Sequence, residues 1–392
     1  MMTQLNFTLN MDELKEAISQ SSLNDLMKAS LTLVLNSYME NERDAFIQAS
    51  RYERNDRRSD YRNGYYEREL IVPAGNIRLK VPRTRSGEFS TDVFEKYERC
   101  DQALMISMLE MVVNGVSTRN VTKVVEQLCG KSVSKSMVSN LTKDLDPVVQ
   151  EWVNRPLNVM IFNYIYVDAM YIKVRENNRV VSKAVYIALG VNDKNKREII
   201  GLKVDHAESE ESWSEFFESM KSRGLQSPKL IISDAHAGLK ASIPKAFVGT
   251  SWQRCSVHML RNMIQTMPRK DSEEARHILK SIFRAANLEE ARRLKDLFLE
   301  KYDDQKSYTK AASILEDGFD DATQFYSQPE NYHVSLRTTN VLERLNSEVR
   351  RRERVIRIFP NHQSAFRLIG AVLMGIDENL DNGGKKFLRE SK

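Results

Sequence analysis

The run Tyr164–Val174 reads Tyr-Ile-Tyr-Val-Asp-Ala-Met-Tyr-Ile-Lys-Val, with one carboxylate, Asp168, in its middle. β-Branched and aromatic residues of this kind predict a strand. An Asp inside such a run is costly unless its charge is compensated. Backbone N–H groups or a lysine would do this at a strand end; a metal ion would do it in a catalytic site. A second acid, Asp234, closes the apolar run Leu230-Ile-Ile-Ser233. Acids at the carboxyl ends of strands in open α/β sheets stand where sites form. The third acid is Glu343, in Thr338-Thr-Asn-Val-Leu-Glu-Arg-Leu-Asn-Ser-Glu-Val-Arg350. On a helix, Leu342, Leu345 and Val349 form the buried stripe, and Thr339, Asn340, Glu343, Asn346 and Arg350 share another face. Glu348 points elsewhere and ranks below Glu343.

Three carboxylates from two strands and a late helix suit a pair of Mg2+ ions, which take hard oxygen ligands. Mn2+ is expected to substitute. One ion would activate a water or a 3′-hydroxyl and the other would stabilise the leaving oxygen of an in-line displacement. Arg344, Arg350, Arg351, Arg352, Arg354 and Arg357 crowd around Glu343. They form either a solvated face or a set of phosphate contacts, and the neighbouring acid favours phosphate. No Ser/His/Asp arrangement competes. Gly130-Lys-Ser132 lacks the upstream glycine of a P-loop. Cys255 and His258 resemble half a zinc site, but no second Cys/His pair accompanies them and structural zinc takes four ligands, so zinc is not expected. His236, two residues after Asp234, is a candidate phosphate contact or a structural residue, and the structural reading is preferred.

The elements that must position these groups follow from periodicity. Met11–Glu40, with Leu14, Ile18, Leu23, Leu26, Met27, Leu31, Val34 and Leu35 inward, reads as one or two amphipathic helices reaching about Ala49. Arg51–Arg68 is basic and rich in tyrosine; Arg57, Arg58 and Arg62 are candidate phosphate contacts on a nucleic-acid surface, and a solvated loop is the alternative. Residues 69–82 form a β-hairpin around Pro73-Ala-Gly-Asn76. Ala103–Val113 is a helix. Ser117 or Thr118 caps a second, with Val121, Val124, Val125 and Leu128 inward, and Ser134 starts a third with Met137, Val138, Leu141 and Leu145 inward. Residues 117–146 fit a helix-turn-helix that leaves Lys135, Ser136, Ser139, Asn140 and Lys143 outward for phosphates or base edges; an ordinary helical hairpin fits as well.

Pro156 marks a domain boundary. Three strand-like runs, 164–175, 180–191 and 198–204, are joined by short polar turns as an antiparallel meander. Helix and strand then alternate through 210–220, 229–233, 237–247, 251–254 and 257–267. This order predicts an α/β fold with a mixed, ribonuclease-H-like sheet. Residues 271–330 are charged and helical, an all-α insertion. Helices at 338–354 and 361–374 follow, with a frayed tail from Asp377. The expected domains are 1–155 for DNA binding and oligomerisation, 156–270 for the first part of the catalytic core, 271–330 for the insertion, and 331–392 for the part of the core carrying the third acid.

Composition fits this reading. The 392 residues suffice for two or three domains, and the net charge of +5 suits a polyanion partner. Mean hydropathy is −0.50 and no apolar run is long enough to span a membrane, so no membrane association is expected. The N-terminus carries no secretory signal pattern, and three scattered cysteines suit a reducing cytosol.

The three acids, together with Trp252-Gln-Arg-Cys255-Ser-Val-His258-Met-Leu-Arg261-Asn262, resemble the bacterial Mutator-type insertion-sequence transposases over essentially the whole chain. The Trp-to-Asn stretch is the specific marker. The resemblance implies a ribonuclease-H-like core interrupted by a helical insertion, with Asp168, Asp234 and Glu343 as catalytic metal ligands. It implies action on the terminal inverted repeats of the protein's own element, and a place near the active site for Cys255 and His258, orienting DNA. The expected partners are double-stranded DNA, as element ends and target, and a second copy of the chain, since two ends must be held. The expected location is the bacterial cytoplasm at the nucleoid. A metal-dependent nuclease of the same fold and a helix-turn-helix repressor are the alternatives.

Overall fold

A computed structural model describes residues 23–49, 52–53, 56–72, 74–94, 102–129, 133–270, 272–382 and 386–388. The chain divides into two units, 1–143 and 144–392.

In the first unit, helix α1 (Leu23–Ile47) packs on an antiparallel hairpin of β1 (Arg62–Val72) and β2 (Gly75–Thr84). Leu31, Leu35 and Met39, four residues apart, carry the helix stripe against Leu70, Val72, Ile77, Leu79 and Val81. Met27 and Val34 fall off that stripe and are exposed, contrary to the sequence expectation; Leu14 and Ile18 lie outside the described residues. The hairpin is longer than its apolar core. Arg62–Arg68, read from sequence as a nucleic-acid surface or a solvated loop and not as a strand, pairs with the strand that follows it, through Arg62↔Thr84 and Arg68↔Leu79. Ladder pairing, not burial, holds this exposed half, so its hydropathy pattern is weak. Val72 pairs with Gly75, and Gly75 adopts φ +127°, a conformation that L side chains rarely adopt.

Helices α2 (Gln102–Val113), α3 (Thr118–Cys129) and α4 (Lys135–Leu141) follow. Ser117 Oγ accepts from Asn120 N, and Ser134 Oγ from Met137 N, so serines open both α3 and α4. Val121, Val125 and Cys129 of α3 meet Val133, Val138, Leu104, Met108 and Ile71. Leu128, expected inward, is 64% exposed, because the spacing of four residues from Val121 hands the buried position to Cys129. Leu145 does not extend α4. Thr142 Oγ1 donates to Ser139 O at 2.7 Å, a 3-10 turn spans Thr142–Asp144, and a new helix begins.

That helix, α5 (Leu145–Val153), groups with the second unit and not with the N-terminal residues. Arg367 grips Asp146 with two bonds of 2.5 and 2.7 Å. The sheet is built from β3 (Phe162–Glu176), β4 (Arg179–Asn192), β5 (Arg197–Asp205), β6 (Leu230–Ser233) and β7 (Ser251–Arg254), in the order β5-β4-β3-β6-β7. The first three strands are antiparallel neighbours; β6 runs parallel to β3, and β7 parallel to β6. This is a mixed α/β fold. Helices α6 (Glu210–Ser222) and α7 (Ala237–Ala246) cover one sheet face, where Trp213, Phe216, Phe217 and Ile243 bury Ile165, Val167, Tyr186 and Ile231.

Helix α8 (Ser256–Thr266) leads into α9 (Glu273–Ile282), α10 (Leu288–Tyr302) and α11 (Thr309–Ala322), which form their own core with Met259, Met263 and Met267. The buried Gln253 of β7 staples this helical segment to the sheet: Nε2 donates to Ala322 O and Oε1 accepts from Phe325 N, both at 2.8 Å. The short α12 (His333–Leu336) precedes α13 (Asn340–Ile356) and α14 (His362–Asn382). Helix α13 packs on β3 and ends at Arg357, with φ +63°; Phe359 then exchanges backbone bonds with β3 at Lys173 and Arg175. Of the tail expected to be frayed, residues 383–385 and 389–392 lie outside the described residues, and 377–382 continue helix α14 from Asp377. Its carboxylate accepts from Trp152 Nε1, Arg155 Nη2 and the Ile199 amide at 3.0, 3.1 and 2.6 Å, which anchors α14. Among the described residues, no helix is long and apolar enough to cross a membrane.

Candidate active site

Asp168 stands on the central strand β3, opposite Ile187 of β4. Its Oδ1 accepts from the Ala169 amide at 2.9 Å, and its Oδ2 accepts from Asn346 Nδ2 of α13 at 2.6 Å. Asp234 follows the last residue of β6, the strand beside β3. Cys255 follows the end of β7, where its amide donates to Ser233 O at 2.8 Å and sets it beside Asp234. One turn into α8, His258 spans two acids. Its Nδ1 forms an ion pair with Asp234 Oδ1, and its Nε2 lies 3.2 Å from Glu343 Oε1.

Glu343 reaches this point because α13 starts against α8. Ser256 donates its amide and hydroxyl to Arg337 O, at 2.9 and 2.7 Å. Thr339, at the start of α13, donates its amide and hydroxyl to Cys255 Sγ at 3.4 and 3.3 Å, and its hydroxyl lies 3.4 Å from His258 Nδ1. Leu342, Leu345 and Val349 are buried as the sequence predicts, which turns Glu343 and Asn346 to the site. The Asp234 and Glu343 side chains each remain 42% exposed, so the cluster is open on one side.

The charges are strongly coupled. Burial, with Asp234 nearby, pushes the Asp168 carboxyl up to about 6, against the bonds from Ala169 and Asn346. Bonding to Asp234 and then to Cys255 raises His258 to about 10, so the imidazole is held as a cation. Burial works to raise the Cys255 thiol, but bonds with His258 and Thr339 outweigh it and leave the thiol below its ordinary value. Asn346 Oδ1 is buried without a hydrogen-bond partner, and Asp234 Oδ1 is buried against His258 Nδ1. The site thus gathers three carboxylates from three elements around one imidazolium and one carboxamide, a constellation suited to holding cations and a phosphate.

A family model described as Transposase, Mutator family matches residues 2–383. The chain belongs to the Mutator family of transposases. It is 51% identical, over the full length of both chains, to the transposase for insertion sequence element IS256 in transposon Tn4001 of Staphylococcus aureus. It is 38% identical to the transposase for element ISRM5 of Rhizobium meliloti, over 91% of this chain and 88% of that one. It is 36% identical to the transposase for element IS1081 of Mycobacterium tuberculosis, over 92% and 86%.

In this Mutator-family chain the Trp-to-Asn motif wraps the second acid. Trp252 Nε1 donates to Ser233 Oγ at 2.8 Å, and Lys240 Nζ lies 5.0 Å over the indole. Arg261 Nη2 is 3.9 Å from Glu343 Oε1, whereas Asn262 is exposed and away from the acids' contacts. Of the arginines on α13, Arg344, Arg350 and Arg351 are exposed, with Arg350 at 3.5 Å from Glu353 and Arg351 at 3.2 Å from Glu348. Arg352 is buried against Glu348. Glu348 is therefore committed to arginines on its own helix.

In the first unit Lys135, Ser136, Ser139, Asn140 and Lys143 are all exposed. Arg57 is exposed and Arg58 stacks on Tyr61 at 5.4 Å. Arg62 turns inward, 2.7 Å from Asp44 Oδ1 and bonded to Ala49 O. Two residues of the acid cluster carry no role in the sequence reading: Asn346 and Thr339. Both were legible as sharing a helix face with Glu343, but an amide and a hydroxyl are weak signals beside an acid. Asp234 as a neighbour of Cys255 was not legible, because 21 positions separate them and only the β6–β7 pairing joins them.

Proposed function

We propose that this chain is a DDE transposase, which binds the terminal inverted repeats of its own mobile element, cuts DNA strands there and transfers a 3′-hydroxyl to target DNA. The observation that carries this reading is the convergence of Asp168, Asp234 and Glu343 on His258 and Asn346. Three antiparallel strands followed by two parallel ones, with helices between, support the ribonuclease-H-like description of the core. Two serine-capped helices with an exposed polar face support the helix-turn-helix description of α3 and α4. Two element ends require at least two protomers.

The acids fit Mg2+: they are hard oxygen donors, the Asn346 carboxamide oxygen beside them is buried without a partner, and burial together with the neighbouring Asp234 raises the Asp168 carboxyl, a cost that a cation relieves. Asp168, Asp234 and Glu343 are the residues that would hold it, and it would supply nucleophile activation and charge neutralisation at the phosphate. Asn346 fixes the Asp168 carboxylate. His258 bridges Asp234 and Glu343 through its two ring nitrogens. Arg261, 3.9 Å from Glu343, and the exposed Arg344 and Arg350 of the Glu343 helix would serve as DNA-backbone contacts.

The test uses purified protein, an end fragment with a labelled 3′-hydroxyl, and Mg2+. Cleaved and joined products are expected, and Asp168→Ala and Asp234→Ala each abolish both while circular dichroism stays unchanged. Cleavage without joining would leave the nuclease reading. Binding with neither product in the unmutated protein would leave the repressor.

A further inference from the structure

We propose that Asp234, Cys255 and His258 form a site for one soft divalent cation, zinc in kind, which shares Asp234 with the hard-ion site assigned to the three acids. Four observations meet at this point. A carboxylate oxygen, a thiol sulfur and an imidazole nitrogen lie within 4.8 Å of one another. They come from the ends of two paired strands and the first turn of α8, so the sheet fixes their spacing. Asp234 Oδ1 is buried and paired with His258 Nδ1, another of the three ligand atoms. Glu343 Oε1 sits 3.2 Å from His258 Nε2, the ring nitrogen turned away from the cluster.

That last contact is the arrangement in which a metal-bound imidazole is oriented by a carboxylate on its far nitrogen. The donors from Thr339 to Sγ are likewise those that settle a thiolate ligand. Thiolate and imidazole prefer zinc or cadmium to magnesium. Three protein ligands leave the fourth position of a tetrahedral ion to water or to the Thr339 hydroxyl, 3.4 Å from His258 Nδ1. This is a loadable site, not a structural one: among the described residues no fourth Cys or His joins it. Loading releases the thiol and imidazolium protons to solvent. On the reading of Asp234 and Glu343 as catalytic ligands, a soft ion here removes Asp234 from the hard-ion site and so restrains strand cleavage.

Cadmium alone is the probe, added to the full-length protein without DNA and followed by the ultraviolet thiolate-to-cadmium charge-transfer band. One equivalent is expected to give the band. Cys255→Ser is expected to abolish it, with Cys100 and Cys129 left in place. Asp234→Asn and His258→Gln keep the thiol and are expected to weaken cadmium binding at least about tenfold, as is Glu343→Gln through the imidazole. These three variants carry the test if Cys255→Ser does not fold. No saturable band, a band that survives Cys255→Ser, or an affinity indifferent to Asp234→Asn and His258→Gln would overturn the site. A band in a protein that neither cuts nor joins DNA would uphold the site and defeat the transposase chemistry; cutting and joining without a band would do the reverse.

Discussion

Asn346 Nδ2 donates to Asp168 Oδ2 at 2.6 Å, joining the helix that carries Glu343 to the central strand of the sheet. The two residues are 178 positions apart, and the whole helical segment 271–330 lies between them in sequence. The bond therefore sets the position of the third acid relative to the first. Asn346→Ala removes the donor and leaves the acids untouched. Strand cleavage is expected to fall about 10–100-fold, with a higher Mg2+ requirement and unchanged DNA binding. Unaltered cleavage across a Mg2+ titration would show that the contact is only packing.

On the first unit, Asn140 and Lys143 stand exposed on one side of α4 and its following turn. If α4 reads the element end, Asn140→Ala should cost about 1–3 kcal/mol of end binding and relax preference at one base position. Lys143→Ala should weaken end and random DNA alike and lower the salt slope by about 1. Gel-shift titrations at several salt concentrations separate these outcomes. An Asn140→Ala variant with undiminished preference for end DNA would remove α4 from base readout.

Asp377 is a structural keystone. It satisfies an indole N–H, a guanidinium and the Ile199 amide, and its side chain is 12% exposed. Asp377→Ala leaves the indole N–H and the Ile199 amide unpaired and takes the carboxylate from Arg155, which keeps its bonds to Trp152 O and Ile199 O, so a loss of about 2–4 kcal/mol is expected in urea unfolding of the full chain. A midpoint within experimental error of the parent would contradict the anchoring role.

The sequence rendered the sheet well because its strands are long apolar or alternating runs bounded by polar turns. Ser251–Arg254 and Leu230–Ser233 stand where composition and the flanking turns place strands. The three acids were legible because each breaks an apolar pattern or crowns a helix face. What the sequence concealed depends on partners far away in the chain. Arg62 reads as a free cation until Asp44 is seen beside it. Asp377 reads as tail until Trp152 and Arg155 meet it. The β1 arm does not read as a strand because its pairing partner, not its hydropathy, makes it one. Most telling is His258: spacing relates it to Cys255, but only the fold brings it between Asp234 and Glu343.

Glu343 tests the account most directly, because it joins the site from beyond the insertion. Glu343→Gln keeps the size, the helix face and one oxygen, and removes the charge that a hard cation needs. End binding and strand cleavage are measured on the same preparation. The account predicts that end binding persists while cleavage and joining in Mg2+ are lost, with partial recovery in Mn2+, which tolerates poorer ligand sets. If Glu343 were only the surface partner of His258 and Arg261, its replacement would cost a fraction of a kcal/mol and leave turnover intact. Full cleavage by Glu343→Gln in Mg2+ would contradict the three-acid site.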